Sequence, residues 1–86
     1  MNTAFLLMAQ YNGQAVIPLD AVCRDYFSHL TPEKFLRKAL AGEIDLAVVR
    51  IEGSQKSAKG IHLADLASYI DNRRAAAERE RKALND

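Results

Sequence analysis

Pro18, Pro32 and Gly42 divide the middle of the chain into two short segments with almost nothing between them. Proline suits the first position of a helix and pushes the residue before it out of the helical region. Glycine supplies the left-handed stop at a helix end. In the first segment, from about Leu19 to Phe27, the residues Val22, Cys23, Tyr26 and Phe27 share one face, the signature of an amphipathic helix. Ser28, His29 and Leu30 form the break. Thr31 is the expected N-cap of the second helix and Pro32 its first residue; Lys34 stands where a reciprocal capping box needs Glu or Gln. Across residues 31–41, Phe35, Leu36, Ala39 and Leu40 make the expected buried stripe, and Glu33, Lys34, Arg37, Lys38 and Ala41 the opposite face. Two helices at such a short break predict a helix-turn-helix.

The flanks complete the pattern. Leu46 to Glu52 reads as a strand, 53–58 as a polar tip and 59–63 as a return strand, together a hairpin directly after the second helix. From Leu63 the period turns helical again through Leu66, Ala67 and Ile70, and good helix formers continue it to the end. Arg74–Glu78 and Glu78–Lys82 add weak i,i+4 support. Before the pair, residues 3–11 predict a helix capped by Thr3 or Asn2, and 14–18 an extended stretch. Phe5, Leu6, Leu7 and Met8 are consecutive, so that first helix is expected to be covered on more than one side. The predicted fold is α+β, mostly helical: a small winged helix-turn-helix with a long C-terminal helix. Residues 1–74 are the expected DNA-binding domain and 75–86 a charged helical tail.

With 86 residues there is room for one domain, and a chain this short buries only about 60% of its unfolded surface. The 49% hydrophobic share suffices to fold without disulfide or metal, but the thin core, the apolar first helix and a long C-terminal helix available for pairing predict a homodimer or higher assembly. Cys23 is the single cysteine, which fits a reducing compartment. No apolar run approaches a membrane span and the start has no basic leader. Cytoplasmic location, no membrane partner, no small-molecule substrate and no cofactor are therefore expected.

The net charge of +1 argues for nothing by itself; its distribution does. Lys34, Arg37 and Lys38 have no acid between them, and Arg50, Lys56 and Lys59 have only Glu52. A recognition helix must pack one face and offer long donors on the other, and helix 31–41 fits. The fork of Arg37 matches the O6 and N7 acceptors of guanine. Lys34 and Lys38 suit phosphates, and the free amides near Thr31 also suit one. The expected DNA-contacting set is Thr31, Glu33, Lys34, Arg37 and Lys38 from the helix, with Arg50, Ser54, Gln55, Lys56, Ser57 and Lys59 from the wing. Double-stranded DNA is the expected partner. Taken singly, the helix face reads as well as a wet surface and the tip as a solvated turn; their adjacency favours DNA.

The run VIPLDAVCRDYFSHLTPEKFLRKALAGEIDLAVVRIEGSQKSAKGIHLADLASYIDNRR resembles the pyocin activator protein family. Its stretches LTPEKFLRK and VVRIEGSQKSAKGIHLADLASYI are long and specific, and the likeness runs from Met1 to about Arg74. More distantly, the pattern is similar to excisionase-like and mercury-regulator-like winged helices. The resemblance implies a bacterial transcription activator that binds P-box promoter elements of bacteriocin (pyocin) genes; RNA polymerase is a further candidate partner. It implies no catalytic residue.

Other chemistries fit poorly. The tip GSQKSAKG lacks the Gly-Lys-Ser/Thr ending of a phosphate loop. Cys23, His29 and His62 do not make the three or four ligands of a zinc site, and Cys23 on an apolar face reads as a buried thiol. Asp20, Asp25, Glu43 and Asp45 show no acid–base arrangement, so no enzyme is expected. Tyr11, Tyr26 and Tyr69 are candidates for stacking on bases, with the core the expected place for Tyr26 and Tyr69. The competing functions are an architectural, excisionase-like DNA-bending protein and a protein-interaction module without DNA, whose surface is the apolar Phe5–Met8 helix and the charged tail.

Overall fold

The computed structural model describes residues 2–54 and 56–85. In chain order the elements are α1 (Thr3–Gln10), β1 (Val16–Pro18), α2 (Leu19–Tyr26), α3 (Pro32–Leu40), β2 (Val49–Arg50), β3 (Lys59–His62) and α4 (Leu63–Asn85). This is the expected α+β, mostly helical arrangement, with helix-turn-helix, hairpin and long final helix in the expected order.

Local chemistry sets the ends. Asn2 caps α1 by accepting from the Ala4 amide at 2.7 Å, while Thr3 donates its hydroxyl to Asp71 on α4 at 2.6 Å. Thr31 caps α3, its hydroxyl accepting from the Lys34 amide at 3.2 Å. At the other end Gly42 takes φ +79°, and the Glu43 amide reaches back to the Lys38 carbonyl at 2.9 Å, closing the helix with a left-handed residue that a Cβ would strain. His62 caps α4 through Nδ1, which accepts from the Ala64 amide at 3.0 Å.

The three strands form one antiparallel sheet in the order β1-β3-β2. β3 is central: Ile17 pairs with Ile61 and Pro18 with Gly60 on one side, Val49 with Gly60 and Arg50 with Lys59 on the other. Pro18 is tolerated because β1 is an edge strand with no further neighbour to donate to. The first hairpin strand is far shorter than the expected 46–52. Ile44 and Leu46 are drawn into the core, which turns the backbone away from the ladder until Val49. Beyond Arg50 the pairing ends with the Ile51 amide on the Ala58 carbonyl at 3.0 Å.

The core gathers Leu7 and Tyr11 from α1, Ile17, Val22, Cys23 and Phe27 around α2, Phe35 of α3, Ile44, Leu46, Ile61, and Leu63, Leu66 and Ala67 of α4. The buried Cys23 thiol is as expected. The tyrosines are arranged otherwise. Tyr11 is in the core, Tyr69 is half-buried and Tyr26 is exposed, its hydroxyl donating to Gln10 Oε1 at 2.7 Å. Tyr11 donates to Asp25 Oδ2 at 2.7 Å, and Arg24 also holds Asp25, Nε to Oδ1 at 3.0 Å. Burial, then the Asp25 carboxylate, pushes the Tyr11 phenol well above the usual tyrosine range. The guanidinium of Arg24, then the Tyr11 hydroxyl, holds Asp25 below the usual carboxylate range. This cluster pins the end of α1 to α2.

Two predictions follow from the packing. A Cβ at Gly60 would strike the Ile17 carbonyl and lie 2.7 Å from Val16 Cγ1, whereas one at Gly53 would meet nothing. Gly60→Ala is expected to cost about 1–3 kcal/mol by urea unfolding, as overpacking does, and Gly53→Ala almost nothing. Because the folded pKa of Tyr11 is raised, its contribution is complete below the unfolded value of about 10 and is lost as pH rises past it. Urea midpoints should therefore fall above about pH 10, and Tyr11→Phe should flatten that decline.

Candidate nucleic-acid interface

α3 is held by one fully buried side chain, Phe35, whose ring packs edge-on against Phe27 at 4.9 Å. Phe27 also stacks obliquely on Tyr69 of α4 at 5.7 Å. This contact chain sets the rotation of α3 about its axis and turns Glu33, Lys34 and Arg37 outward, all exposed. Among the described residues none of these three side chains makes an ion pair or hydrogen bond. Glu33 and Arg37 do not pair with each other despite their i,i+4 spacing.

Lys38 is placed differently. It is half-buried and its Nζ lies 3.9 Å from Glu43 Oε1, a loose surface pair of little energy. Lys34, Arg37, Lys38 and Glu43 line one shallow cleft. Leu36 is half-buried, but Leu40 is 58% exposed and joins the outward face. The expected apolar stripe is narrower than its sequence pattern because α3 packs chiefly on α2, and Leu40 at the last turn lies beyond that contact. Helical periodicity marks which residues align; it does not mark how far the neighbouring helix extends.

The wing stands beside the first turn of α3. Pro32, Glu33 and Leu36 face Ser57, Ala58 and Lys59 across a groove floored by Pro18, Leu19 and Asp20. Arg50 is exposed on β2 opposite Lys59 on β3. Ser57 is half-buried and donates its hydroxyl to the Glu52 carbonyl at 2.8 Å, while Ser54 Oγ accepts from the Lys56 amide at 3.1 Å. These bonds shape the tip and leave the Lys56 side chain outward. Lys59 Nζ donates to the Ser57 carbonyl at 3.4 Å. Gln55 lies outside the described residues. The structure thus brings Glu33, Ser57 and Lys59 to one groove and Lys34, Arg37 and Lys38 to a second face, keeps Thr31 at the cap of α3, and holds Arg50, Ser54 and Lys56 along the hairpin.

Sequence reasoning missed the exposure of Leu40 and Ile51. Leu40 and Ile51, the latter 64% exposed, flank the basic groups. Phe5, Leu6 and Met8 of α1 are 65%, 52% and 45% exposed; only Leu7 is buried, so α1 is covered on one side where coverage on several was expected. Its uncharged composition carried that signal. Among the described residues no cluster of three or more His, Cys, Asp or Glu is arranged to hold a metal, and no helix is long and apolar enough to cross a membrane.

No curated protein and no solved structure matches the chain. A family model described as pyocin activator protein PrtN matches residues 3–77. That span includes α1, the helix-turn-helix, the hairpin and most of α4, and it carries with it a role in activating transcription of pyocin genes. The chain belongs to the pyocin activator protein family.

Proposed function

We propose that the protein is a sequence-specific, double-stranded DNA-binding activator that recognises P-box elements in pyocin promoters and acts there on RNA polymerase. One observation carries this reading: α3 presents Glu33, Lys34 and Arg37 outward, without partners among the described residues, next to a hairpin bearing Arg50, Lys56 and Lys59. α3 enters the major groove, Arg37 pairs with guanine, and Lys34 and Lys38 meet phosphates. Thr31 brings the free amides of the first turn to the backbone, and Glu33 accepts from cytosine. The wing tip, with Ser54, Gln55, Lys56, Ser57 and Lys59, follows the adjacent strand. Residues 1–74 form the DNA-binding domain and 75–86 a helical tail; the protein works in the cytoplasm, as a homodimer or higher assembly on repeated sites.

The exposed, uncharged Phe5–Met8 face favours a second reading, a protein-interaction module without DNA. A gel-shift titration on a P-box fragment and a scrambled one, at two salt concentrations, separates the two. Preference for the promoter that weakens with salt supports the activator. Equal binding to both points to an architectural protein, and no binding to either points to the interaction module. Arg37→Ala should cost about 1–3 kcal/mol and relax preference at one base position. Lys56→Ala should weaken binding to every sequence and lower the salt slope by about one.

A further inference from the structure

α1 holds no charged residue. Its inner side, Ala4 and Leu7, packs on the core, and its outer side, Phe5, Leu6, Met8 and Ala9, is exposed. That outer side amounts to on the order of 300 Å² of apolar surface, at the lower end of the largest patch a typical monomer exposes and of a kind often functional. α1 runs back along the first half of α4: Thr3 meets Asp71 at one end, and the Ala15 carbonyl just past the other accepts from the Leu63 amide. The second half of α4, residues 75–85, is almost wholly exposed. It spans about 17 Å, against about 12 Å for α1. Near its end Leu84 is 86% exposed.

The flank of α4 that meets α1 carries a patterned charge row. Asp71, Arg74 and Glu78 line a cleft with Asn2 and Thr3, and Arg81 continues the line, all four exposed. The signs run minus, plus, minus, plus at spacings of three, four and three. Against an antiparallel copy of itself, that order places every charge opposite its complement: 71 on 81, 74 on 78, 78 on 74 and 81 on 71. A two-fold interface requires a patch that accepts itself, and this row does so with no like-charge pair. The same register carries the far end of one α4 onto the other copy's α1.

We infer that a second copy of this chain docks here, α4 antiparallel to its mate about a two-fold axis between Arg74 and Glu78, with Leu84 of each copy seated on Phe5 and Leu6 of the other. The inference rests on the homodimer reading above and not on which DNA is read. The apolar face gives about half of the ~600–800 Å² that each partner of a stable interface buries; the charged row and tail supply the remainder. The Glu78–Arg81 pair within one helix, 3.0 Å apart, is exposed and cheap to exchange.

Sedimentation equilibrium of the full chain without DNA tests it. The parent should weigh two chains at high micromolar concentration. Phe5→Glu and Leu84→Glu should each raise the dissociation constant about thirtyfold or more, the loss of a central anchor. Arg74→Glu and Glu78→Arg should each weaken the dimer about threefold to tenfold alone, and their equimolar mixture should regain the parent's affinity, because opposite charges then face across the axis. All four positions are exposed, and circular dichroism checks that the helices persist. A single-chain mass for the parent, variants that dimerise like it, or a mixture no tighter than its components would each overturn the interface. None of these outcomes bears on DNA binding, which the gel shift reads separately.

Discussion

The edge-on contact between Phe27 and Phe35 holds the rest in place. α3 has no other fully buried side chain, so its attachment and its rotation depend on that ring pair. Phe27 sits where α2 ends, and through Tyr69 it also touches α4. The turn between the two helices, closed by the Leu30 amide on the Phe27 carbonyl at 2.9 Å, is therefore braced from three elements at once. A helix nine residues long is marginal by itself. Anchored at one ring and capped at both ends, it presents a fixed row of polar side chains, as a reading element must.

The sheet performs the same service for the hairpin. β3 is paired on both sides and passes directly into α4, so the wing root is tied to the longest helix through one short strand. Gly60 allows this: with no side chain it lets the backbone of β1 approach closely. Beyond that root, among the described residues, the hairpin has one strand-to-strand backbone bond before the tip, together with the serine bonds inside it. The wing is thus rigid where it joins the domain and shaped only locally where a phosphate backbone would be met.

α1 and the second half of α4 lie outside the helix-turn-helix and hairpin unit. One is apolar on its open side and the other carries alternating charge, and neither composition is needed to place α3. Under the proposed function, joined copies gain affinity for repeated sites without any new base contact. These two features, neither of them part of the candidate DNA face, are the ones the proposed dimer joins.

Much of this was legible in the sequence, because the signals were local. Thr31, Pro32 and Gly42 fix the ends of α3 through capping and backbone geometry, which depend on neighbours a few residues away, and the period from Leu63 marks α4 for the same reason. The basic faces of 34–38 and 50–59 follow from composition alone. What the chain does not encode locally is depth. Leu40 and Tyr26 have the spacing of core residues, yet each is the last residue of its helix and is left exposed. Tyr11, an open case in the sequence, is buried because Asp25 gives its hydroxyl a partner. The strand expected over 46–52 shrinks to Val49–Arg50 because Ile44 and Leu46 are drawn inward, a pull exerted by residues distant in the chain. Which segments are helical, where they stop and where charge collects all follow from residues close together in the chain. Which faces are covered follows from the assembled fold alone, since burial depends on how far each packed neighbour reaches.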